Sequence, residues 1–218
     1  MTTAHSYDEA YGAWLRDPQA YWAAEAFGIT WTKKWDKVFD PTLGAFGQWF
    51  AGGELNTCYN ALDRHVENGR GEQTALIWDS PITGQLKTFT YSELLAKTEK
   101  LAGALSALGV VRGDRVVIYM PMVPEAAMSM LACARLGAIH SVVFGGFAAA
   151  ELSTRISDAK PKVIISASCG LEPGRVVKYK PLLDAAIAMA SHKPDSLLVL
   201  QRPQAEATIV EGRDFDFN

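Results

Sequence analysis

Two short stretches of this chain carry residues that could meet a ligand. Phe144-Gly145-Gly146-Phe147 closes an apolar, β-branched run. Glycine at positions 145 and 146 lacks the Cβ that would hold a flat or phosphorylated group away, and the helix predicted to follow offers unpaired N–H groups. The second stretch runs from Ser168 through Glu172, Pro173 and Gly174 to Arg175. Between Lys160 and Lys180 lie five cations, Lys160, Lys162, Arg175, Lys178 and Lys180, against the single acid Glu172. A local positive field of this kind suits a phosphorylated ligand, and a guanidinium at Arg175 suits a planar two-point grip on phosphate; for the lysines a solvated basic face is an equal alternative. Neither stretch is a complete catalytic apparatus. The chain has no G-x-G-x-x-G fingerprint and no G-x-x-x-x-G-K-[ST] phosphate loop, and no nucleophile and base stand at local spacing, so no catalytic residue is assigned.

The elements that must position these stretches follow from spacing. Thr74 to Asp79 and Leu86 to Phe89 read as a hairpin around Pro81-Ile-Thr-Gly84. Thr90-Tyr-Ser-Glu93 is a capping box, and Leu94, Thr98, Leu101, Leu105 and Leu108 fall on one helical stripe that Gly109 ends. Arg112-Gly113-Asp114 is the turn into a strand at Arg115 to Met120, and an apolar helix from Val123 to Leu136 is expected to be deeply buried. Further strands are predicted at Ile139 to Phe144, Lys162 to Ala167 and Ser196 to Leu200, with helices near Ala148 to Asp158 and Pro181 to Ala190. This alternation predicts an α/β fold with a largely parallel sheet flanked by helices, whose ligands bind beyond the carboxyl ends of the strands. Both candidate stretches would lie on that rim. His140, inside a strand expected to be buried, reads as a hydrogen-bonded core histidine, and His65 as a helix residue beside inward-facing Leu62 and Val66.

The first fifty residues differ, holding five of the six tryptophans. With helices expected at Tyr7 to Leu15 and Pro18 to Ala26, they read as an aromatic, mainly helical arm. A formal charge of −3 gives no reason to expect nucleic acid or an anionic membrane as a partner, and the start of the chain has no leader-like basic and apolar pattern, so the cytoplasm is the expected compartment. Cys58, Cys133 and Cys169 are an odd, widely spaced set without a C-x-x-C pair, which predicts buried thiols, not a disulfide framework or a metal site.

Several motifs also carry a resemblance. Trp49-Phe-Ala-Gly-Gly-Glu-Leu-Asn56, Asn60-Ala-Leu-Asp-Arg-His-Val66, Phe89-Thr-Tyr-Ser-Glu-Leu94, Tyr119-Met-Pro-Met-Val-Pro-Glu125, Ala134-Arg-Leu-Gly-Ala-Ile-His-Ser141 and Val143-Phe-Gly-Gly-Phe147 resemble, in order and spacing, the short-chain acyl-CoA synthetases of the adenylate-forming superfamily. Asn56-Thr-Cys-Tyr-Asn60 and Gly170 to Arg175 look more like the propionyl-CoA than the acetyl-CoA synthetase branch. The resemblance implies an acetate- or propionate-CoA ligase that uses ATP, Mg²⁺ and CoA. It implies an arm over residues 1–66 and part of an AMP-binding domain over 67–218. In that family, arginines in the loop matching Glu172 to Arg175 meet the 3′-phosphate of CoA, and the turn matching Phe144, Gly145 and Gly146 lies beside the adenine. Here the first arginine is replaced by Glu172, which leaves Arg175 as the phosphate cation, with Pro173 and Gly174 setting the loop. The family's phosphate loop, acyl pocket and lid lie beyond the point matching Asn218, so the 218 residues are expected to be inactive alone, and to self-associate through the face those parts would cover. The alternative is a non-enzymatic α/β nucleotide-binding or assembly module.

Overall fold

The computed structural model describes residues 6–146 and 148–217, so Phe147 of the glycine turn lies outside the described residues. The chain forms two compact units, Met1–Asn56 and Thr57–Asn218. In the first, helix α1 (Tyr7–Arg16) starts at a capping box in which the Ser6 and Glu9 side chains each accept from the other's backbone N–H. Helix α2 (Pro18–Glu25) follows with Asp17 as its cap and proline at its first turn. A hairpin of β1 (Lys37–Asp40) and β2 (Gln48–Ala51), which the sequence reading did not predict, completes the unit. Its aromatic rings pack on one another. Trp31 lies 4.9 Å from Trp35, both sit against Phe50, and Phe39 lies 4.8 Å from Trp49. Among its described residues Ala26 and Ala51 are the only hydrophobic side chains fully buried, so ring stacking takes the place of an aliphatic core.

The second unit opens with two π-helical turns, Tyr59–Asp63 and Val66–Arg70. The antiparallel hairpin of β3 (Thr74–Ser80) and β4 (Gln85–Thr90) follows, within one residue of its predicted bounds. Helix α3 (Tyr91–Ala107) begins at the predicted Thr90/Glu93 capping box. It ends in a Schellman motif: Gly109 takes a φ of +80°, its N–H bonds the Ser106 carbonyl, and the Val110 N–H bonds that of Leu105. Then come β5 (Arg115–Met120), α4 (Pro124–Leu136), β6 (Ile139–Phe144), α5 (Ala149–Ala159), β7 (Val163–Ala167), the short hairpin of β8 (Cys169–Glu172) and β9 (Arg175–Lys178), α6 (Tyr179–Met189), β10 (Ser196–Leu200) and β11 (Asp214–Asp216). None of these helices is long and apolar enough to cross a membrane.

β11, β10, β7, β5 and β6 form, in that order, an all-parallel five-stranded sheet. Alternation along the strands builds two cores. Val116, Ile118, Val163, Ile165 and Leu198 face one side with α3 and α4, while Val117, Tyr119, Ile164, Leu197 and Val199 face α5 and α6. The chain lays β6 on one side of β5 and then crosses to place β7 on the other, which creates the switch in strand order where open α/β sheets hold ligands.

One expectation fails here. The Ile139–Phe144 run is an edge strand, with Val143 buried but Val142 and Phe144 exposed by 51% and 72%. His140 is therefore exposed, not a core histidine. A β-branched run reads the same whether a sheet places it in the middle or at the rim, and only strand order separates the two cases.

The buried core sets an alkaline limit on stability. Burial pushes both the Tyr119 hydroxyl and the Cys133 thiol up to about 12. An unfolded chain ionises these groups near 10 and 9, whereas the native state holds their protons, so stability is full below those values and falls as pH rises toward 12. Urea midpoints should therefore drop between about pH 9 and pH 11, and Tyr119→Phe should make that drop shallower; an unchanged slope would assign the loss to other groups.

Candidate functional site

The carboxyl ends of β5, β6, β7 and β10 open onto one groove of about 580 Å³. Its lining draws on the segment after each of these strands: Met120 to Val123, Phe144 to Gly146, Leu171 with Glu172, and Arg202. The β3–β4 hairpin contributes Trp78 to Ile82. That hairpin is held in place by the Trp78 Nε1–H, which donates to the Met122 carbonyl at 2.8 Å, while Lys87 lies 5.5 Å over the indole. A second hollow of about 450 Å³ adjoins the first and shares Ile82, Leu171 and Glu172; Gly174, Arg175 and Val176 line it. Phe144, Gly145, Gly146 and Glu172 thus come together in one hollow, and Glu172, Gly174 and Arg175 in its neighbour.

The segment Ser168 to Arg175 is a hairpin, not an irregular loop. Glu172 pairs with Arg175 across Pro173 and Gly174, and Gly174 has a φ of +75° that only glycine adopts without strain. Arg202 holds its base, donating from its backbone N–H to the Ser168 hydroxyl at 2.9 Å and from its guanidinium to the Cys169 carbonyl at 3.0 Å. Across the turn the Arg175 guanidinium meets one oxygen of Glu172 at 2.7 and 2.8 Å. The hydrogen bond and charge of Glu172 raise the Arg175 pKa further above its usual value.

The two glycines of the β6 turn leave room for neighbouring aromatic rings. A Cβ built on Gly145 would run into the Tyr179 ring, whose Cε2 and Cζ lie at 2.8 Å and whose hydroxyl is closer still. Gly170 faces the same ring from the β8 side, with ring carbons at 2.6 Å. Tyr179 stacks on Tyr119 at 4.9 Å. Gly145 and Gly170 therefore make room for a tyrosine that fastens the β6 turn to the β8–β9 hairpin. Gly146 is exposed, and its missing Cβ faces the Phe144 ring.

The single basic field expected over Lys160 to Lys180 is dispersed by the fold. Lys160 and Lys162 precede β7 and sit at the amino end of the sheet, where Lys162 pairs with Asp114 at 3.8 Å. Lys180 is only 3% exposed and lies between Asp184 and Asp214 at 2.6 and 2.9 Å. Arg213 closes this cluster, bonding the same two carboxylates at 2.7 and 2.6 Å. Lysine spacing carries no sign of burial: Asp184 stands one helical turn further along α6, but the fully shielded Asp214 arrives from β11.

Trp78, Met122, Tyr179 and Arg202 are site residues that the sequence reading missed. The nearest signal in the sequence was Gly170, a glycine inside an apolar run, which marks a close approach by another group. The three cysteines are free and buried, as expected. Arg135 grips both oxygens of Asp63 at 2.8 and 2.9 Å and reaches Glu99 at 2.9 Å, which ties the entry turn to α3 and α4.

Comparison with known proteins agrees with this architecture. A family profile described as AMP-binding enzyme matches residues 62–214, and one described as acetyl-coenzyme A synthetase N-terminus matches residues 7–61. Over 97% of its length the chain is 50% identical to acyl-CoA synthetase short-chain family member 3, mitochondrial, of Homo sapiens and 45% identical to the propionate–CoA ligase of Salmonella typhimurium. It covers 31% and 34% of those two proteins, about a third of their length. Among solved structures, acetoacetyl-CoA synthetase from Streptomyces lividans superposes with a TM-score of 0.84 at 25% identity, over 99% of this chain and 33% of that one.

Proposed function

This chain belongs to the AMP-binding enzyme family, and from that premise we propose that it is the amino-terminal part of an AMP-forming ligase joining a short-chain carboxylate, propionate or acetate, to coenzyme A. ATP, Mg²⁺ and CoA are the ligands of the whole ligase. Within it, the carboxyl-end groove receives the nucleotide end of CoA. The observation that carries this reading is the convergence of the β6 turn and the β8–β9 hairpin on adjoining hollows at the switch in strand order. Phe144, Gly145 and Gly146 supply the wall for the adenine, and Pro173 and Gly174 set the tight turn that presents Arg175 to the 3′-phosphate. Tyr179 and Arg202 hold the two walls in register. The name of the propionate–CoA ligase relative supports propionate as the acid.

The work assigned to these residues is binding and orientation. Activation of the carboxylate requires cations arranged around the transferring phosphoryl group, and no such role is assigned to a residue of this chain. The 218 residues alone are accordingly expected to give no propionate-dependent ATP–pyrophosphate exchange above blank. In the full-length ligase, Arg175→Ala should raise the KM for CoA by about three- to tenfold, the loss of one partly wet charge-assisted hydrogen bond. The exchange half-reaction, which needs no CoA, should change less than about twofold. An equal loss in both would contradict the assignment of Arg175 to CoA.

A further inference from the structure

We propose that Tyr179 is a positioning residue for recognition of the 3′-phosphate of CoA, acting through Arg175 by making the adenine wall and the phosphate hairpin move as one surface. This rests on the reading of the groove as the CoA nucleotide site. The Tyr179 ring is buried and lies edge-on between two residues without side chains, Gly145 on the β6 turn and Gly170 on β8. A Cβ at Gly145 would come within 2.8 Å of ring atoms Cε2 and Cζ, and one at Gly170 within 2.6 Å of Cε1 and Cζ. Opposite edges of a single ring therefore set the distance between the two walls.

The ring is anchored more firmly than the hairpin it supports. Tyr179 stacks at 4.9 Å on Tyr119, a fully buried residue of the interior strand β5, and the next residue, Lys180, is held by Asp184 and Asp214 at 2.6 and 2.9 Å. The β8–β9 hairpin, in contrast, is a two-stranded sheet of its own with an exposed tip from Pro173 to Val176, and a pair of strands has little stability by itself. Its base is tied by the Tyr179 N–H, which donates to the Ser168 carbonyl at 3.0 Å, and by the two bonds from Arg202. Those bonds fix where the hairpin starts, and the ring under Gly170 fixes its tilt. The Glu172–Arg175 pair follows two residues beyond the Gly170–Val177 pair, about 7 Å along the strands. A tilt of a few degrees at Gly170 is thus magnified at the guanidinium, and a hydrogen bond tolerates displacements of only a few tenths of an ångström. The β6 turn leans on the other edge of the same ring, so a shift of the adenine wall is passed on to Arg175.

The test is the ratio of kcat/KM for CoA to that for 3′-dephospho-CoA, measured in the full-length ligase at saturating ATP and propionate. Both acceptors carry the adenine and report on the same protein, so loss of adenine contacts and loss of folded enzyme cancel in the ratio. Arg175→Ala should lower the ratio by about three- to tenfold, the yield of one partly wet charge-assisted bond. Tyr179→Leu, which removes the ring, should lower it by at least about threefold, whereas added to Arg175→Ala it should lower the ratio less than about 1.5-fold further, because the tyrosine acts through that guanidinium. Tyr179→Phe keeps the ring and should keep the ratio. Gly170→Ala, which pushes the hairpin off an intact ring, should lower the ratio as Tyr179→Leu does, and it replaces that variant if the latter does not fold. A ratio that Arg175→Ala lowers but Tyr179→Leu and Gly170→Ala leave where it was, or one that Tyr179→Leu lowers equally with and without Arg175, overturns the role of Tyr179 while leaving the acceptor site standing. A ratio that Arg175→Ala itself leaves unchanged overturns the assignment of the hairpin to the phosphate and this inference with it.

Discussion

Replacing Lys180 with methionine is expected to destabilise the chain by about 3–5 kcal/mol, and to lower its melting temperature by roughly 6–20 °C. The ammonium lies with its side chain only 4% exposed between Asp184 and Asp214, whose own carboxylate is fully shielded from solvent. Removing the cation leaves Arg213 to balance two acids, one of them without access to water. Methionine fills a similar volume, so the loss reports charge and not a cavity. Lys178→Met, two positions away on an exposed site, is the control and should change stability by no more than about 0.5 kcal/mol.

The same cluster has an acid signature. Burial alone would push the Asp214 carboxyl up, but hydrogen bonds from Arg213, Lys180 and the Val210 N–H outweigh it and hold the pKa below its usual 3.8. The stability this supplies is present above pH 3.8 and is lost as pH falls through the lower native value. Lys180→Met should therefore flatten the acid limb of a melting-temperature profile as well as lower its plateau. A full-height acid limb in the variant would show that Arg213 alone holds the carboxylate.

Gly145→Ala is the second substitution with a large expected effect. Its new methyl would meet the Tyr179 ring, and that ring cannot swing aside without leaving Tyr119, on which it stacks. Overpacking of this kind costs about 1–3 kcal/mol, which corresponds to roughly 2–12 °C in melting temperature. The coupling is what identifies the cause. In a Tyr179→Leu background, where the ring is gone, the same Gly145→Ala change should cost less than about 0.5 kcal/mol. A cost that persists there would mean that the glycine serves the backbone or a ligand, not the tyrosine. Under the proposed function the displaced turn should also weaken use of CoA by the full-length protein, because the β6 turn and the hairpin lose their common fastening.

How much of this could be read from the chain depends on the range of the interaction involved. The predicted strands and helices of the second unit lie within about one or two residues of those observed, since capping boxes, the Gly109 stop and apolar stripes are local signals, whereas the short strands β8, β9 and β11 were not legible. The rim that carries Gly145 and Arg175 was legible too, because strand–helix alternation dictates a parallel sheet and a parallel sheet dictates the carboxyl-end site. The β1–β2 hairpin was not, as its aromatic residues read alike for a stacked hairpin and for an irregular strap.

The chain by itself determined the α/β architecture, the family resemblance and the two candidate stretches on the carboxyl-end rim, all of which rest on residues close together in sequence. Tertiary structure alone decided the rest. It turned the Ile139–Phe144 run into an edge strand, assigned Gly145 to Tyr179, drew Lys180 out of the basic field and into a buried ion cluster, and set Glu172 against Arg175. Each of these is a pairing between distant segments or across a turn, where burial and the sign of the neighbouring charge decide what a residue does. Neither quantity exists until the chain has closed on itself.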